Sequence, residues 1–119
     1  MARATGPRAK RIYDDASPDD GVRVLVDRVW PRGVSKQQAH LDEWLKAVAP
    51  STALRSWYGH DAARLAEFTS RYEAELTESE RAEAFAHLKA LAKDARVTLL
   101  TATKELELSQ AAVLVKLLR

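Results

Sequence analysis

A cluster of charged and aromatic residues follows a short apolar stretch near the start of the chain. The apolar stretch covers residues 22–26 and leads directly into Asp27, Arg28, Trp30 and Arg32. Each guanidinium group can donate two parallel hydrogen bonds to a carboxylate or phosphate. The carboxylate of Asp27 can accept a proton, which makes Asp27 a candidate catalytic residue. These residue types predict a site for a small anionic ligand, contacted by Arg28, Trp30 and Arg32.

The apolar stretch itself predicts the element that positions these side chains. It is too short for a stable helix, is rich in branched residues and lies between Gly21 and Pro31, so we expect a buried strand. Ligands of α/β proteins bind beyond the carboxyl ends of the strands, where the charged cluster would lie. Pro31 fixes its own φ and Gly33 permits a turn, so the loop should be stiff. A structural interpretation stays open, in which Asp27 pairs with an arginine and Trp30 closes the core.

Two later segments supply further candidates. His60 is the second candidate catalytic residue because a histidine ring can accept or donate a proton. Trp57, three residues before it, is a candidate ligand contact. Lys104 follows a predicted strand at 96–101. Several helices separate that strand from the strand at 22–26, so the two should be parallel neighbours. We therefore expect Lys104 and His60 to share one pocket with the two arginines.

Three strands and five to six helices make up the predicted fold, which belongs to the α/β class. The strands cover residues 10–13, 22–26 and 96–101. The segment 14–21 is rich in Asp, Pro and Gly and too short for a crossover helix, so the first two strands should form an antiparallel hairpin. The predicted three-stranded sheet is therefore mixed and only partly parallel. Helices are expected after Ser35, Ser51, Asp61 and Thr77 and from Glu105 onward.

Two of the helical segments carry predictions about burial and assembly. Leu41, Trp44, Leu45 and Val48 recur at helical spacing, which predicts a core position for Trp44. The last helix is apolar nearly all round. It should be either sandwiched between layers of its own chain or shared with a second subunit in a homodimer.

Composition limits the classes to which the chain can belong. Its 119 residues, 46% hydrophobic and 30% charged, predict one domain over residues 10–119 behind a flexible basic tail at 1–9. The absence of cysteine excludes disulfides and thiolate chemistry, and the spacing supplies no third metal ligand beside Asp27 and His60. No apolar run suits a membrane span or a signal peptide, so we expect a cytoplasmic protein with no membrane partner and no cofactor. A net charge of +2 does not favour nucleic acid as the partner.

Several short motifs from about Arg11 onward carry a family resemblance. They are Arg23-Val-Leu-Val-Asp-Arg-Val-Trp-Pro-Arg-Gly33, Trp44-Leu-Lys46, Ala49-Pro-Ser51, Leu54-Arg-Ser-Trp-Tyr-Gly-His-Asp61, Val97-Thr-Leu-Leu100, Lys104 and Gln110-Ala111. On these motifs the chain resembles the YeaO-type branch of a bacterial domain-of-unknown-function family, for which the Asp-Arg-x-Trp-Pro-Arg-Gly element is distinctive. The resemblance implies a compact α/β domain in the bacterial cytoplasm and supplies no reaction.

The chain departs from the family pattern just before its last helix. Relatives usually carry Tyr-Ala-Ala-Lys-Asp followed by a His-Asn pair, whereas this chain has Thr101-Ala-Thr-Lys-Glu105 followed by Leu108-Ser109. If the His-Asn pair is catalytic in relatives, this protein lacks it. Lys104 is kept, so a binding role can be carried over from the family more safely than a proton-transfer role.

Three functions fit the sequence, and whether the protein is an enzyme stays open. The first, which we favour, is a module that binds a small phosphate- or carboxylate-bearing ligand. The second is an enzyme acting on such a substrate, with Asp27 or His60 moving protons. The third is a nucleic-acid-associated regulatory protein that stacks bases on Trp30 or Trp57. An enzyme needs its proton-transfer group close to the arginines, whereas the third function needs exposed tryptophans.

Overall fold

Four strands form one parallel sheet in the computed structural model, which describes residues 6–119. They are β1 (Pro7–Arg11), β2 (Val22–Leu25), β3 (Glu43–Trp44) and β4 (Val97–Thr101), in the order β1-β4-β2-β3. β2 and β4 correspond to the two apolar runs, and they are parallel neighbours as predicted. The other neighbouring pairs are parallel as well. The α/β class is confirmed, and the prediction of a mixed three-stranded sheet is wrong.

Residues 6–119 contain five α-helices, which is within the predicted number. They are α1 (Lys36–Ala39), α2 (Thr52–Tyr58), α3 (Leu65–Glu75), α4 (Ser79–Asp94) and α5 (Gln110–Leu118). α5 begins later than predicted because a 3-10 turn, Leu106–Leu108, comes first. The Ser109 hydroxyl then accepts the Ala112 N–H at 3.2 Å and caps the helix. None of the helices in this part of the chain is long and apolar enough to cross a membrane.

The first strand pairs with β4 and not with β2. It runs parallel to β4 along its whole length, from Pro7 beside Val97 to Arg11 beside Thr101. The predicted antiparallel hairpin between the first two strands is therefore wrong. Residues 7–9, which the sequence assigned to the basic tail, belong to this strand, and residues 1–5 of that tail lie outside the described residues.

A buried acid fixes β1 at the edge of the sheet. The carboxylate of Asp20 is fully buried and accepts hydrogen bonds from Arg8 at 2.5 Å and from Lys10 at 3.0 Å. Arg23, which is itself buried, donates to the same carboxylate. Burial alone would raise the pKa of Asp20, but hydrogen bonds from Lys10, the Ser17 backbone and both arginines lower it to about 2. Charged side chains of β1 and β2 thus meet on one carboxylate, which is why β1 needs no apolar pattern.

The sheet faces two separate cores because alternate residues of a strand point to opposite sides. Val24 and Leu99 lie in the larger core, to which α2, α3, α4 and α5 contribute. Leu25 and Leu100 lie in the smaller core, where Trp30 packs as a partly buried residue. With both faces covered, the ends of the strands are the places where a ligand can approach them.

The segment after α1 is a strand and not the predicted helix. His40 adopts a left-handed φ of 49° and ends α1 after one turn. The Asp42 N–H then donates to Arg23 O at 2.9 Å, and its carboxylate accepts the Arg23 N–H at 2.8 Å. These bonds direct Glu43–Trp44 into the sheet beside β2. Trp44 is 37% exposed, so its predicted core position is wrong.

The last helix is enclosed by its own chain. Ala111, Val113, Leu114 and Val115 of α5 are buried in the larger core. Of the two settings predicted for this helix, packing within one chain therefore accounts for these apolar residues. The homodimer stays a prediction.

Candidate functional site

The loops after β2 and β4 meet at one edge of the sheet and border a cavity of about 600 Å³. We call it the rim cavity, and its volume lies within the usual range for small-molecule sites. Parallel strands bring their carboxyl ends to the same edge, as predicted from the sequence. The lining includes five of the predicted site residues, namely Asp27, Arg28, Trp30, Arg32 and His60. It also includes Arg55, Tyr58, Thr103 and Gln110.

Among the described residues that line the rim cavity, Asp27 is the acidic one. Both of its carboxylate oxygens accept hydrogen bonds from the protein. Oδ1 accepts hydrogen bonds from Thr101 Oγ1 at 2.7 Å and from Gln110 Nε2 at 2.6 Å, and Oδ2 accepts the Ala102 N–H at 2.8 Å. The carboxylate thus ties the end of β2 to the loop after β4 and to α5. Its partners are neutral, so the interpretation that it pairs with an arginine is wrong. Among residues 6–119, no group of three His, Cys, Asp or Glu side chains could hold a metal ion.

We expect Asp27→Asn to destabilise the fold by about 2–3 kcal/mol. An asparagine has one acceptor oxygen and one amino group, so in either orientation the amino group faces an N–H donor, on Ala102 or on Gln110. Urea denaturation measures the change, with the exposed Asp15→Asn as a control for loss of charge. If the Asp27→Asn protein is as stable as the control, the hydrogen bonds of Asp27 do not hold the end of β2 to the loop after β4 and to α5.

Three arginine side chains line the rim cavity, and none of them is paired with an acid of residues 6–119. Arg28 and Arg32 are exposed residues of the loop after β2, as the motif predicted. Arg55 comes from α2 and is half-buried. The lining therefore carries an excess of positive charge.

Arg55 is a residue that sequence reasoning missed. The Ser51 hydroxyl accepts the Leu54 N–H at 3.1 Å and fixes the start of α2, so that Arg55 follows within its first turns. A terminal nitrogen of Arg55 lies 3.4 Å from Thr52 Oγ1, whereas its Nε is buried and meets no acceptor among the described residues. A buried donor left in this way costs about 1–3 kcal/mol. The available signal was its place inside the family motif at 54–61.

Tyr58 and His60 form part of the cavity wall. Gly59 ends α2 in the left-handed conformation, and His60 follows with φ of 56°. The two rings meet edge to face with their centroids 5.7 Å apart. Burial, and to a lesser extent the charge of Asp61, raises the pKa of Tyr58, whose hydroxyl donates to Leu108 O at 2.9 Å. Tyr58 is therefore neutral near pH 7, and His60 is the exposed group of this wall.

Two tryptophan side chains brace the loop at 27–33. Trp30 Nε1 donates to Val34 O at 2.6 Å, and Trp44 Nε1 donates to Asp27 O at 2.7 Å. The two rings pack edge to face with centroids 5.3 Å apart. Trp44, which the sequence placed in the core, instead holds the backbone of the loop that carries the arginines.

Trp57, a predicted contact, does not line the rim cavity. The guanidinium carbons of Arg64 and Arg71 lie 5.2 Å and 4.4 Å from its ring centroid. Its aromatic surface is therefore used by cations of the following helical segment.

Lys104 also lies outside the lining of the rim cavity. It is exposed in the bend that follows Thr103, where the chain turns toward α5. The structure thus brings Arg28, Arg32 and His60 together and leaves Lys104 apart.

Bacterial proteins of similar length match the chain almost from end to end. It is 48% identical over 118 residues to "Uncharacterized protein Rv3073c" of Mycobacterium tuberculosis and to "Uncharacterized protein Mb3100c" of Mycobacterium bovis, covering 99% of this chain and 98% of each relative. It is 41% identical over 112 residues to "Uncharacterized protein YeaO" of Escherichia coli K12, covering 94% of this chain and 96% of that protein. No solved structure matches.

A family model described as "Inactive DUF488-N3 subclade" matches residues 8–119. The matched range includes both loops that border the rim cavity and the helices α2 and α5 that complete its wall. The YeaO-type resemblance is thereby confirmed, and the chain belongs to the DUF488-N3 family, within the subclade that this description names.

Proposed function

We propose that the protein binds a small phosphate- or carboxylate-bearing anion in the rim cavity and does not transform it. The observation that carries the proposal is the charge of the lining, in which three guanidinium groups stand against one carboxylate whose oxygens are already occupied. Like charges held near one another repel each other until an opposite charge joins them. An anionic ligand supplies that charge and accepts the paired hydrogen bonds that guanidinium groups donate.

The setting of Arg55 supports the same proposal. Its Nε is buried and has no acceptor among residues 6–119, which makes the side chain a liability for stability on its own. An anion in the rim cavity would not reach this buried Nε, but it would accept hydrogen bonds from the terminal nitrogens of Arg55 and balance the charge of the guanidinium group. Arg55 would then hold the ligand from α2, while Arg28 and Arg32 hold it from the loop after β2.

Binding fits the site better than catalysis does. A general base needs a free lone pair within reach of the reacting proton, whereas Asp27 already accepts three hydrogen bonds from the protein, which leaves about one of its four acceptor positions, on Oδ2. His60 is exposed and pairs with no carboxylate of residues 6–119 that could orient its ring. The word "inactive" in the family description agrees with this choice.

Nucleic acid is the less suitable ligand because the tryptophans are engaged. Trp30 packs in the smaller core and against Trp44, and Trp57 packs with two arginines. Stacking of bases needs open aromatic faces along a positively charged groove.

Inorganic phosphate should raise the melting temperature of the wild type, and Arg55→Ala should weaken phosphate binding about tenfold or more. A hydrogen bond to a charged group contributes about 1.5–3 kcal/mol, which sets this magnitude. Without phosphate, Arg55→Ala should change the melting temperature little, because removal of a buried unsatisfied donor offsets the packing lost with the half-buried side chain. Calorimetric titration with phosphate and with acetate measures both ligand classes.

The matched control is Lys93→Ala, which removes an exposed charge near the end of α4. It should leave phosphate binding unchanged. The proposal fails if neither anion binds the wild type, or if Arg55→Ala and Arg32→Ala bind phosphate as tightly as Lys93→Ala does.

A further inference from the structure

A second cavity shares Arg28 with the rim cavity. It has a volume of about 560 Å³, and besides Arg28 it is lined by Lys46, Ala47, Ser79, Glu80 and Arg81. We call it the helix cavity because three of these residues form the first turn of α4. Arg28 is the described residue that belongs to both linings, so the two cavities adjoin at its side chain.

The helix cavity is also positively charged. Its lining holds Arg28, Lys46 and Arg81 together with Glu80. Glu75, which lies outside the lining, pairs with Arg81. The Arg81 Nε donates to Ala49 O at 2.9 Å and lies 3.9 Å from Glu75 Oε1, which fixes the side chain and offsets part of its charge. Its terminal nitrogens meet no acceptor within residues 6–119. The free N–H groups of the first turn of α4 add to this positive potential.

Lys46 is held in place without being neutralised. Its ammonium group lies 4.9 Å from the ring centroid of Trp44, the same tryptophan that braces the loop carrying Arg28. An aromatic ring attracts a cation but carries no net charge. The charge of Lys46 therefore stays available to an anion in the helix cavity.

We propose that the ligand of this protein carries two anionic groups, one held in the rim cavity and the other in the helix cavity, with Arg28 between them. This inference rests on the proposed function and extends it by naming the ligand class. A single small anion bound beside Arg28 in the rim cavity would leave Lys46 of the helix cavity without an anionic partner among residues 6–119. Two linked groups bind together because the second group binds at a high effective concentration once the first is held.

The part of the ligand that joins its two groups would cross the loop after β2. Val29 is next to Arg28, lines the rim cavity and is 67% exposed. An uncharged linker suits this apolar surface better than a charged one, because burying a charge there would need a partner. The ligand class is therefore an elongated molecule with phosphate or carboxylate groups at separated positions and a neutral middle.

The test compares methylphosphonate with a series of α,ω-alkane diphosphonates of increasing length, titrated into the wild type by calorimetry. We expect the best diphosphonate to bind about tenfold or more tightly than methylphosphonate, with an optimum at one length. Lys46→Ala should remove most of this gain and leave methylphosphonate binding unchanged. Glu80→Gln should increase the affinity for the diphosphonate, because it removes the opposing charge from the helix cavity.

The controls separate failure of this inference from failure of the proposed function. If Arg55→Ala weakens methylphosphonate binding but no length of diphosphonate gains affinity, the rim cavity binds a single anion and the inference is wrong. A gain that Lys46→Ala and Lys93→Ala reduce equally would reflect overall charge alone and would also overturn it. If neither probe binds the wild type, the proposed function and this inference fail together.

Discussion

We expect the Asp20→Asn protein to unfold with a free energy about 3–5 kcal/mol lower than that of the wild type. The asparagine would leave the buried Arg23 without its anion and would place an amino group among the donors of Arg8 and Lys10. Removing one partner of a buried ion pair costs this much because the remaining charge is left buried, with neither an opposite charge nor water around it. Urea denaturation followed by circular dichroism gives the value directly.

Asp19→Asn is the matched control, since Asp19 is the exposed neighbour in the same turn. It should change the free energy of unfolding by less than about 0.5 kcal/mol. Equal effects of the two substitutions would show that the buried cluster does not hold β1 in place.

The same carboxylate makes stability depend on pH in the acid range. The pKa of Asp20 is lowered from 3.8 in water to about 2 in the folded protein, so its contribution is complete above about pH 4 and is lost as the pH falls toward 2. The difference corresponds to about 2 kcal/mol. Unfolding measured between pH 5 and 2 should show this loss in the wild type, and Asp20→Asn should lack this part of it.

A substitution at Gly21 should be nearly as damaging, with Gly21→Ala costing about 3–5 kcal/mol. Gly21 has φ of 64° and ψ of −131°, a region that side chains rarely enter. A Cβ there would overlap the carbonyl oxygen of Arg96 and lie 2.8 Å from its Cγ. That carbonyl accepts the Val22 N–H at 2.9 Å, so the clash falls where β2 begins beside the chain entering β4.

Gly33→Ala is the control for this prediction. Gly33 also has a positive φ, of 78°, but a Cβ would meet nothing within 4 Å. Its cost should be about 1–2 kcal/mol, from the backbone conformation alone. Denaturation curves of the two variants measure the difference, and a Gly21→Ala protein no less stable than Gly33→Ala would contradict the close approach at Arg96.

The parts of the sheet that apolar runs encode could be predicted from the sequence. β2 and β4 are such runs, and their parallel pairing followed from the helices between them. β1 reads Pro-Arg-Ala-Lys-Arg and is held by ion pairs to Asp20, a contact that no local pattern reveals. β3 has two residues within a stretch of helical spacing, and it is a strand because Asp42 bonds to Arg23.

The residues of the candidate site likewise fall into those that could be predicted from the sequence and those that could not. Residues of the loop after β2 could be placed together because they are adjacent in sequence and follow a strand. Arg55 and Gln110 reach the rim cavity from helices whose orientation depends on packing, so their positions could not be read from spacing. Lys104 lies only three residues after β4, yet the bend at this position places it outside the lining of the rim cavity.

The central position of β4 determines when the sheet can form during synthesis. β1 has β4 as its neighbour in the sheet, and Arg8 contacts Thr98 across 90 residues of sequence. A ribosome delivers the chain from its amino end, so until β4 emerges β1 has no strand beside it and β2 has only the two-residue β3. Such distant pairing makes folding slow relative to helical proteins of this size. We therefore expect nascent chains that stop before β4 to expose unpaired strand edges, to depend on chaperones and to be degraded by proteases.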